Sequence, residues 1–220
     1  MKKFTINSFR AFSVCLVFLI IGSAGNVHSQ GRRVELTPFG GYLLGGSIKF
    51  YEGKIKIEDN ASYGGMLAVE VSKGQFVELS YTRMDSKADW HPYSTYNIQY
   101  PEKTVDIGMN YLQIGSLNEF HLSNEAIRPY GTATIGTSWV HPKSENTSDQ
   151  WLFTVTLGAG LKYFFSERIG IRLQASMLLP LVYNGTYFYF GMGGSGVGVS
   201  ATAPIVQGNF TGGLIFVLGK

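Results

Sequence analysis

Two arms of alternating sequence, WLFTVTLGAGLKYFF (Trp151–Phe165) and IGIRLQASMLLPLV (Ile169–Val182), flank the tripeptide Ser166–Arg168. Apolar side chains occupy the odd positions of both arms, and Thr, Gly, Lys, Arg, Gln and Ser occupy most of the even positions. A period of two residues is the period of a β-strand and not of a helix. Strands of soluble proteins usually have about 5–6 residues, whereas a strand that crosses a bilayer needs roughly 9–11. The two arms therefore predict a transmembrane β-hairpin.

The composition supports a membrane β-barrel. The chain has 220 residues, of which 15% are charged, and it contains 28 glycines and one cysteine. Soluble domains carry about 25% charged residues. A single cysteine excludes a disulfide scaffold, and no mature apolar run reaches the roughly 18 residues of a transmembrane helix. In a barrel the apolar residues are spread over alternate positions, which fits this composition.

Residues 1–29 have the pattern of a cleaved signal peptide. Lys2, Lys3 and Arg10 precede the apolar stretch Ala11–Gly25, and Val27-His28-Ser29 places small residues at the usual cleavage spacing. We expect cleavage after Ser29, in preference to an N-terminal anchor helix or a lipoprotein built on Cys15. Removal of three basic residues lowers the formal charge from +3 to about zero. The mature domain, residues 30–220, then has no basic excess suited to nucleic acid.

The same alternation predicts about eight strands along the mature chain. Strands are expected in Val34–Ile48, from Tyr63 to Val71, from Val77 to Tyr81, in Thr104–Phe120, in Tyr130–Val140, in the two arms and in Ile205–Leu218. Three connections are short: Lys73–Gln75, His121–Ile127 and Ser166–Arg168. The remaining connections are longer: Lys49–Asn60, Asp85–Lys103, His141–Gln150 and Asn184–Pro204. Short periplasmic turns and long external loops are typical of outer-membrane barrels, and both termini are then expected in the periplasm.

Which side chains face outward follows from the alternation. In the strand Thr104–Phe120 we expect an outward face of Val105, Ile107, Met109 and Tyr111, with either a bulge or a dry patch of lumen near Leu112–Ile114. Aromatic residues near strand ends predict two interfacial belts. One belt contains Tyr130, Tyr163, Phe165 and Phe216, and the other contains Tyr63, Trp139, Trp151 and Tyr183.

Charged residues at inward positions predict an ion network in the lumen. A three-residue turn at Lys73–Gln75 would place Glu70 opposite Glu78, and the turn at Ser166–Arg168 would place Lys162 opposite Arg172. Strands two and three face strands six and seven across an eight-stranded barrel, so the acids can meet the bases there. An interior of this size is only wide enough to be filled by side chains. We predict a network of Glu70, Glu78, Lys162 and Arg172, with Asp106 and Glu35 as outer members. It would act as a plug or gate, or would simply pack a polar core.

At this point the chain resembles the small OmpA/OmpX-type outer-membrane barrels. The glycine-rich segments YGTATIGTSW (130–139) and FTVTLGAGLKYFFSERIGIRLQAS (153–176) are similar to the outer-membrane β-barrel domain common in Gram-negative bacteria. This resemblance covers the mature chain and implies an eight-stranded antiparallel up-and-down transmembrane barrel in the cell outer membrane. Such barrels often end on an aromatic residue, whereas this chain ends Val217-Leu218-Gly219-Lys220, so Phe216 would have to substitute.

No residue pattern indicates catalysis or a cofactor. Gly191–Gly196 matches the GxGxxG spacing but precedes no helix, and no His/Cys cluster has the spacing of metal ligands. His91 with Asp89 and Ser94, or His141 with Ser144 and Asp149, defines no nucleophile–base geometry. We therefore expect no enzyme, no cofactor and no metal, although a lipid-modifying enzyme remains an alternative.

The expected function is a monomeric membrane barrel with a filled lumen, whose external loops serve envelope integrity or surface interaction. Its expected partners are outer-membrane lipid and an extracellular molecule. The tyrosine-rich stretch with Trp90, Tyr93, Tyr96 and Tyr100 is the candidate contact loop, because tyrosine offers amphipathic contact area at a low entropic cost. The same residues would also suit the lipid headgroup region. The alternative function is a narrow channel or transporter for small solutes.

Overall fold

The computed structural model describes residues 32–49, 53–92, 103–120, 122, 126–143, 150–191, 194–202 and 205–219. The signal-peptide prediction lies outside these residues. Among the described residues there is no helix long and apolar enough to cross a membrane.

Eight of the described strands form a closed antiparallel barrel. Each strand pairs with its neighbours in the chain, and the first strand pairs with the last. The barrel strands are β1 (Val34–Leu43), β4 (Asn60–Ser72), β5 (Gln75–Pro92), β6 (Lys103–Glu119), β7 (Ile127–Pro142), β8 (Gln150–Phe164), β9 (Ile169–Gly191) and β11 (Gln207–Gly219). The predicted eight-stranded all-β barrel is confirmed.

Three further strands extend the wall at one end. β2 (Gly46–Lys49) pairs with β3 (Gly53–Ile57), which pairs with the far end of β5, and β10 (Gly194–Thr202) pairs with the far end of β9. The prediction of loops at Lys49–Asn60, Asp85–Lys103 and Asn184–Pro204 was therefore wrong in part. The strands continue beyond the barrel because each finds a second strand to accept its backbone hydrogen bonds. We call this end the long-loop end.

The opposite end, which we call the short-turn end, contains the tight turns, the start of β1 and the end of β11. Val34 at the start of β1 pairs with Gly219 at the end of β11. The turn between β8 and β9 sets Lys162 opposite Arg172, as its length predicts. The turn between β4 and β5 differs from the prediction, because it has two residues, Lys73 and Gly74, and Gly74 has a φ of 74°.

The outer wall of the barrel is apolar. Leu157 on β8, Leu173 on β9 and Phe210 on β11 are about half exposed. Thr154 and Thr156 on β8 and Asn209 on β11 are buried in the lumen. An apolar surface of this extent needs hydrocarbon around it. The outward orientation of the apolar odd positions is therefore confirmed in the two arms, β8 and β9.

β6 is an exception to the predicted orientation. Ile107, Met109 and Tyr111 are buried in the lumen, and Leu112 and Ile114 are exposed. The strand has no irregularity in its pairing with β5 or β7, so the bulge, one of the two alternatives for this strand, is absent there. The inward residues at this height belong to an apolar cluster that fills the long-loop end of the lumen. Beyond the aromatic residues at the long-loop end, the outer wall no longer faces hydrocarbon. The apolar face of a strand can therefore point into the lumen there.

Two groups of outward aromatic residues lie one near each end of the wall. Trp139 and Trp151 stack with their ring centroids 5.0 Å apart, and Tyr163 packs edge-on against Phe165 at 5.1 Å. Trp151 and Tyr163 are twelve residues apart on β8, which corresponds to about 40 Å of strand. At the usual tilt of about 40° this spans roughly 30 Å, the thickness of a bilayer core.

Substitution of Leu157 tests whether this wall faces lipid. Leu157 lies midway between Trp151 and Tyr163 on β8 and is 48% exposed. We expect Leu157→Arg to lower the free energy of folding into vesicles by about 2–4 kcal/mol, because the charge would lie at the bilayer midplane. Leu218→Arg, at the short-turn end of the same wall, should cost at most about 1 kcal/mol. Urea titration of folding into phosphatidylcholine vesicles measures both, and equal effects would contradict a lipid-facing wall.

Candidate functional site: the charged lumen

The short-turn end of the lumen is occupied by buried charges from five strands. Lys162 on β8 is completely buried, and its Nζ lies 2.7 Å from Glu35 Oε2 and 2.7 Å from Glu119 Oε1. Glu35 comes from β1 and Glu119 from β6. The ammonium group therefore links three strands that are not neighbours in the sheet.

A second ion pair crosses the lumen from β9 to β5. Both terminal guanidinium nitrogens of Arg172 donate to the carboxylate of Glu78, and the Arg172 Nη2 atom lies 3.1 Å from Glu78 Oε1. The Nε of Arg172 donates to the Tyr130 hydroxyl at 2.7 Å, and that hydroxyl donates to Gln174 Oε1 at 2.9 Å. A two-pronged contact of this kind is the preferred geometry between an arginine and a carboxylate.

Aromatic rings lie against both buried cations. Lys162 Nζ lies 4.4 Å from the centroid of the Phe76 ring, and the Arg172 guanidinium carbon lies 4.7 Å from that of Tyr130. A cation near the face of an aromatic ring is stabilised by the ring quadrupole, and more strongly where water is excluded. Gly160 makes room for this packing, since a Cβ there would lie 2.4 Å from the Tyr130 hydroxyl oxygen.

Two more arginines extend the network toward the short-turn mouth. Arg33 lies 2.8 Å from Glu35 Oε1, and Arg128 lies 3.4 Å from Glu119 Oε2. Each carboxylate bound by Lys162 thus also faces an arginine nearer the surface. Both guanidinium carbons lie within 5 Å of the Phe164 ring centroid, at 4.3 and 4.9 Å.

The predicted network needs two corrections. Glu70 is not part of it: the shorter turn places Glu70 opposite Phe76, with a shift in register beside it, and the Glu70 carboxylate accepts the backbone N–H of Gly74 at 3.0 Å. Asp106 is also outside it, since it is exposed on the outer wall opposite Lys87. The lumen does contain Glu78, Lys162, Arg172 and Glu35, and Glu35 lies in its centre and not at its edge.

Two central residues of the site were missed from the sequence. Tyr130 was expected in the outer aromatic belt, but it is 2% exposed and points into the lumen with Thr132 and Thr134. Its even position, shared with those threonines, was the available signal. Glu119 was missed because the orientation of β6 was assigned wrongly. With Leu117 inward, the residue two positions further on must also face the lumen.

Above the charges the lumen is polar and nearly filled. Gln113 donates to Thr156 at 2.6 Å, and Ser62 donates to Asn209 at 2.9 Å. Ser138 and Thr154 are hydrogen-bonded at 2.7 Å. The cavity that remains between these side chains has a volume of about 20 Å³. That is room for about one water molecule, so the described side chains of this section leave little space for water.

The long-loop end of the lumen is closed by an apolar cluster. Its buried members are Leu43, Ile57, Met84, Ile107, Met109, Tyr111, Leu178 and Ile205. The Tyr111 hydroxyl donates to Gln207, whose amide donates to the Gly45 carbonyl at 2.8 Å. From one end to the other, the described lumen therefore has a charged layer, a polar layer and an apolar layer.

The other predicted contact residues are only partly described. Trp90 lies in β5 opposite Lys103 and Ile55, whereas Tyr93, Tyr96 and Tyr100 lie outside the described residues. The Gly191–Gly196 stretch belongs in part to the β9–β10 hairpin. In the described ranges, no three His, Cys, Asp or Glu side chains are grouped so as to hold a metal ion.

Comparison with known proteins shows the fold of this chain. No family model matches the sequence, and no curated protein matches it significantly. Among solved structures, Neisserial surface protein A is similar with a TM-score of 0.54 and 11% identity over 83% of this chain and 96% of that one. The outer membrane protein OprG from Pseudomonas aeruginosa is similar with a TM-score of 0.53 and 14% identity over 84% and 96%. The fold is that of the small outer-membrane barrels.

Removal of one lumen carboxylate tests whether the site stabilises the barrel. We expect Glu78→Gln to lower the free energy of unfolding by about 3–5 kcal/mol, because it leaves the Arg172 charge buried without a carboxylate. Glu70→Gln is the matched control, since Glu70 lies outside the ion network, and it should cost less than about 1 kcal/mol. Denaturant unfolding in detergent micelles, followed by heat-modifiable mobility on gels, measures both. Equal losses would show that the network does not stabilise the lumen.

Proposed function

We propose that this chain is an integral outer-membrane β-barrel of a Gram-negative bacterium that stabilises the envelope or presents its external loops to a partner. The observation that carries this proposal is the closure of the lumen. An eight-stranded barrel could act as a pore only if its interior were open, and here each of three successive layers fills it. In this proposal the layers of described side chains keep the lumen closed, and the outer surface and the loops are what contact other molecules.

The fold and the outer wall support the membrane location. Neisserial surface protein A and OprG, which share the fold, are a surface protein and an outer membrane protein. The roughly 30 Å between the two aromatic groups matches a bilayer core. In this proposal the leader, residues 1–29, is removed during export, and the barrel is a monomer surrounded by lipid.

The proposed orientation places the short-turn end and both termini in the periplasm. Short turns on the periplasmic side and longer connections outside are the usual asymmetry of such barrels. The contact loop with Trp90, Tyr93, Tyr96 and Tyr100 would then be displayed on the cell surface.

A narrow channel for small solutes is the second candidate. The polar layer favours it, because hydroxyl and amide groups line a small cavity there. A channel would require both the Glu78–Arg172 pair and the apolar cluster to move aside. Removing several side chains from a packed interior costs far more than thermal energy, so we favour the closed barrel.

Planar-bilayer recording distinguishes the two candidates. We expect the purified full chain to insert into a phosphatidylcholine bilayer and to give no sustained current at moderate voltage. Insertion is checked by the heat-modifiable mobility of the protein recovered from matching vesicles. Sustained currents that pass small solutes would reject the closed lumen and support the channel.

Cysteine labelling in intact cells tests the orientation. The chain has one cysteine, Cys15, which lies in the proposed leader, so the mature protein would have none. We expect Lys143→Cys, at the long-loop end, to react with a membrane-impermeant maleimide. Ser166→Cys, in a turn at the short-turn end, should react only after the outer membrane is permeabilised. The reverse pattern would place the loops in the periplasm.

A further inference from the structure

The outer wall carries a charged cluster immediately beyond the aromatic belt at the long-loop end. Arg83 on β5 lies 3.0 Å from Asp85 Oδ1, and Lys143, at the end of β7, lies 3.2 Å from the same oxygen. All three side chains are between 37% and 48% exposed. Arg83 and Asp85 point outward, because the alternate residues of β5, Thr82, Met84 and Ser86, are buried. Lys143 meets Asp85 on that outer side. We call Arg83, Asp85, Lys87 and Lys143 the outer-wall cluster.

Pairing across the strands places Arg83 at the height of the aromatic residues Tyr63 and Trp139, and Asp85 slightly nearer the long-loop end. Arg83 lies opposite Tyr63 on one side and opposite Asn110 on the other, and Asn110 lies opposite Trp139. Trp139 in turn stacks on Trp151, which is 61% exposed. Tryptophan and tyrosine collect at the headgroup level of a bilayer. The cluster therefore lies where the phosphates of lipid headgroups would be.

A glycine of β6 lies beneath the cluster. Gly108 on β6 is opposite Asp85, and a Cβ there would lie 3.5 Å from Asp85 Oδ1 and 3.7 Å from an Arg83 guanidinium nitrogen. Lys143 reaches Asp85 over this strand, and its backbone N–H donates to the carbonyl of Asp106 at 2.8 Å. The three charged side chains thus come together over a strand that offers no side chain of its own at that point.

The cluster has more positive than negative charge. Lys87 lies between two exposed acidic residues, Asp106 opposite it on β6 and Glu58, whose backbone N–H donates to the Lys87 carbonyl at 2.9 Å. Arg83 and Lys143 share the carboxylate of Asp85. Asp85 neutralises one of the two cations that it contacts. One positive charge therefore remains, close to an aromatic platform and open to the side of the barrel.

We infer that the outer-wall cluster binds the phosphate of an anionic lipid headgroup. Arginine and lysine donate strong, charge-assisted hydrogen bonds to phosphate oxygens, and each such cation near a membrane surface attracts anionic lipid. The Trp139–Trp151 stack provides the apolar contact for the upper part of the acyl chains. A soluble polyanion is the less suitable ligand, because the cluster opens toward the side of the wall at belt height and not toward a cavity. The inference rests on the proposed membrane location.

Lipid retention in native mass spectrometry tests the inference. The full chain is reconstituted in nanodiscs of phosphatidylcholine with a minor fraction of phosphatidylglycerol, and the retained lipids are counted after release. We expect the wild type to retain phosphatidylglycerol in preference to phosphatidylcholine. Lys87→Gln/Lys143→Gln leaves the Arg83–Asp85 pair intact and should weaken that retention on the order of tenfold.

A charge-matched variant controls for net charge. Lys54→Gln/Lys56→Gln removes two exposed lysines from β3, opposite His91 and Asp89 and so further from the aromatic belt. It should retain phosphatidylglycerol like the wild type. Equal loss in both double variants would overturn the inference, because attraction would then follow net charge and not this cluster. Displacement of the lipid by inorganic phosphate alone would also overturn it, since it would indicate an anion site independent of the bilayer.

The same samples separate this inference from the proposed function. A chain that fails to insert into nanodiscs contradicts the membrane barrel itself. A chain that inserts, resists heat unfolding on gels and shows no preference for phosphatidylglycerol contradicts only the lipid site.

Discussion

The barrel depends on the pairing of buried charges inside a space too narrow for bulk water. Closing eight strands leaves an interior that side chains must fill, and an ion placed there loses its hydration. Lys162 recovers part of that loss from Glu35 and Glu119, and Arg172 recovers it from Glu78 and Tyr130. Because each of these contacts joins strands that are not neighbours in the sheet, the charges also hold the two sides of the barrel in one arrangement.

The three layers of the lumen follow from what lies beside each of them. At the short-turn end the arginines Arg33 and Arg128 can reach water, so a charged layer is tolerated there. In the middle, the outer face of the wall is apolar, and hydroxyl and amide groups inside the lumen form hydrogen bonds with one another. At the long-loop end the strands leave the region between the aromatic belts, and an apolar cluster closes the interior.

The outer surface follows a different constraint from the lumen. Between the belts it is apolar, as hydrocarbon requires, and beyond the belt of Trp139 and Trp151 it becomes charged within two residues of β5. The change is abrupt because a bilayer passes from hydrocarbon to headgroups over a few ångströms. β5 and β9 continue well past this level, where β3 and β10 pair with them, so the wall also provides a scaffold outside the bilayer.

The sequence by itself determined the strand period, the number of barrel strands, the apolar outer face and the Lys162–Arg172 register. These properties depend on local alternation and on turn length, which can be read from neighbouring residues. Only the tertiary structure decided which charges meet. Glu70 left the network because the turn has only two residues and the register shifts between Glu70 and Ser72. Glu119 and Tyr130 entered it because both side chains face the lumen at that height. Partners across a lumen are set by barrel closure, and the residues that meet there are distant in the chain.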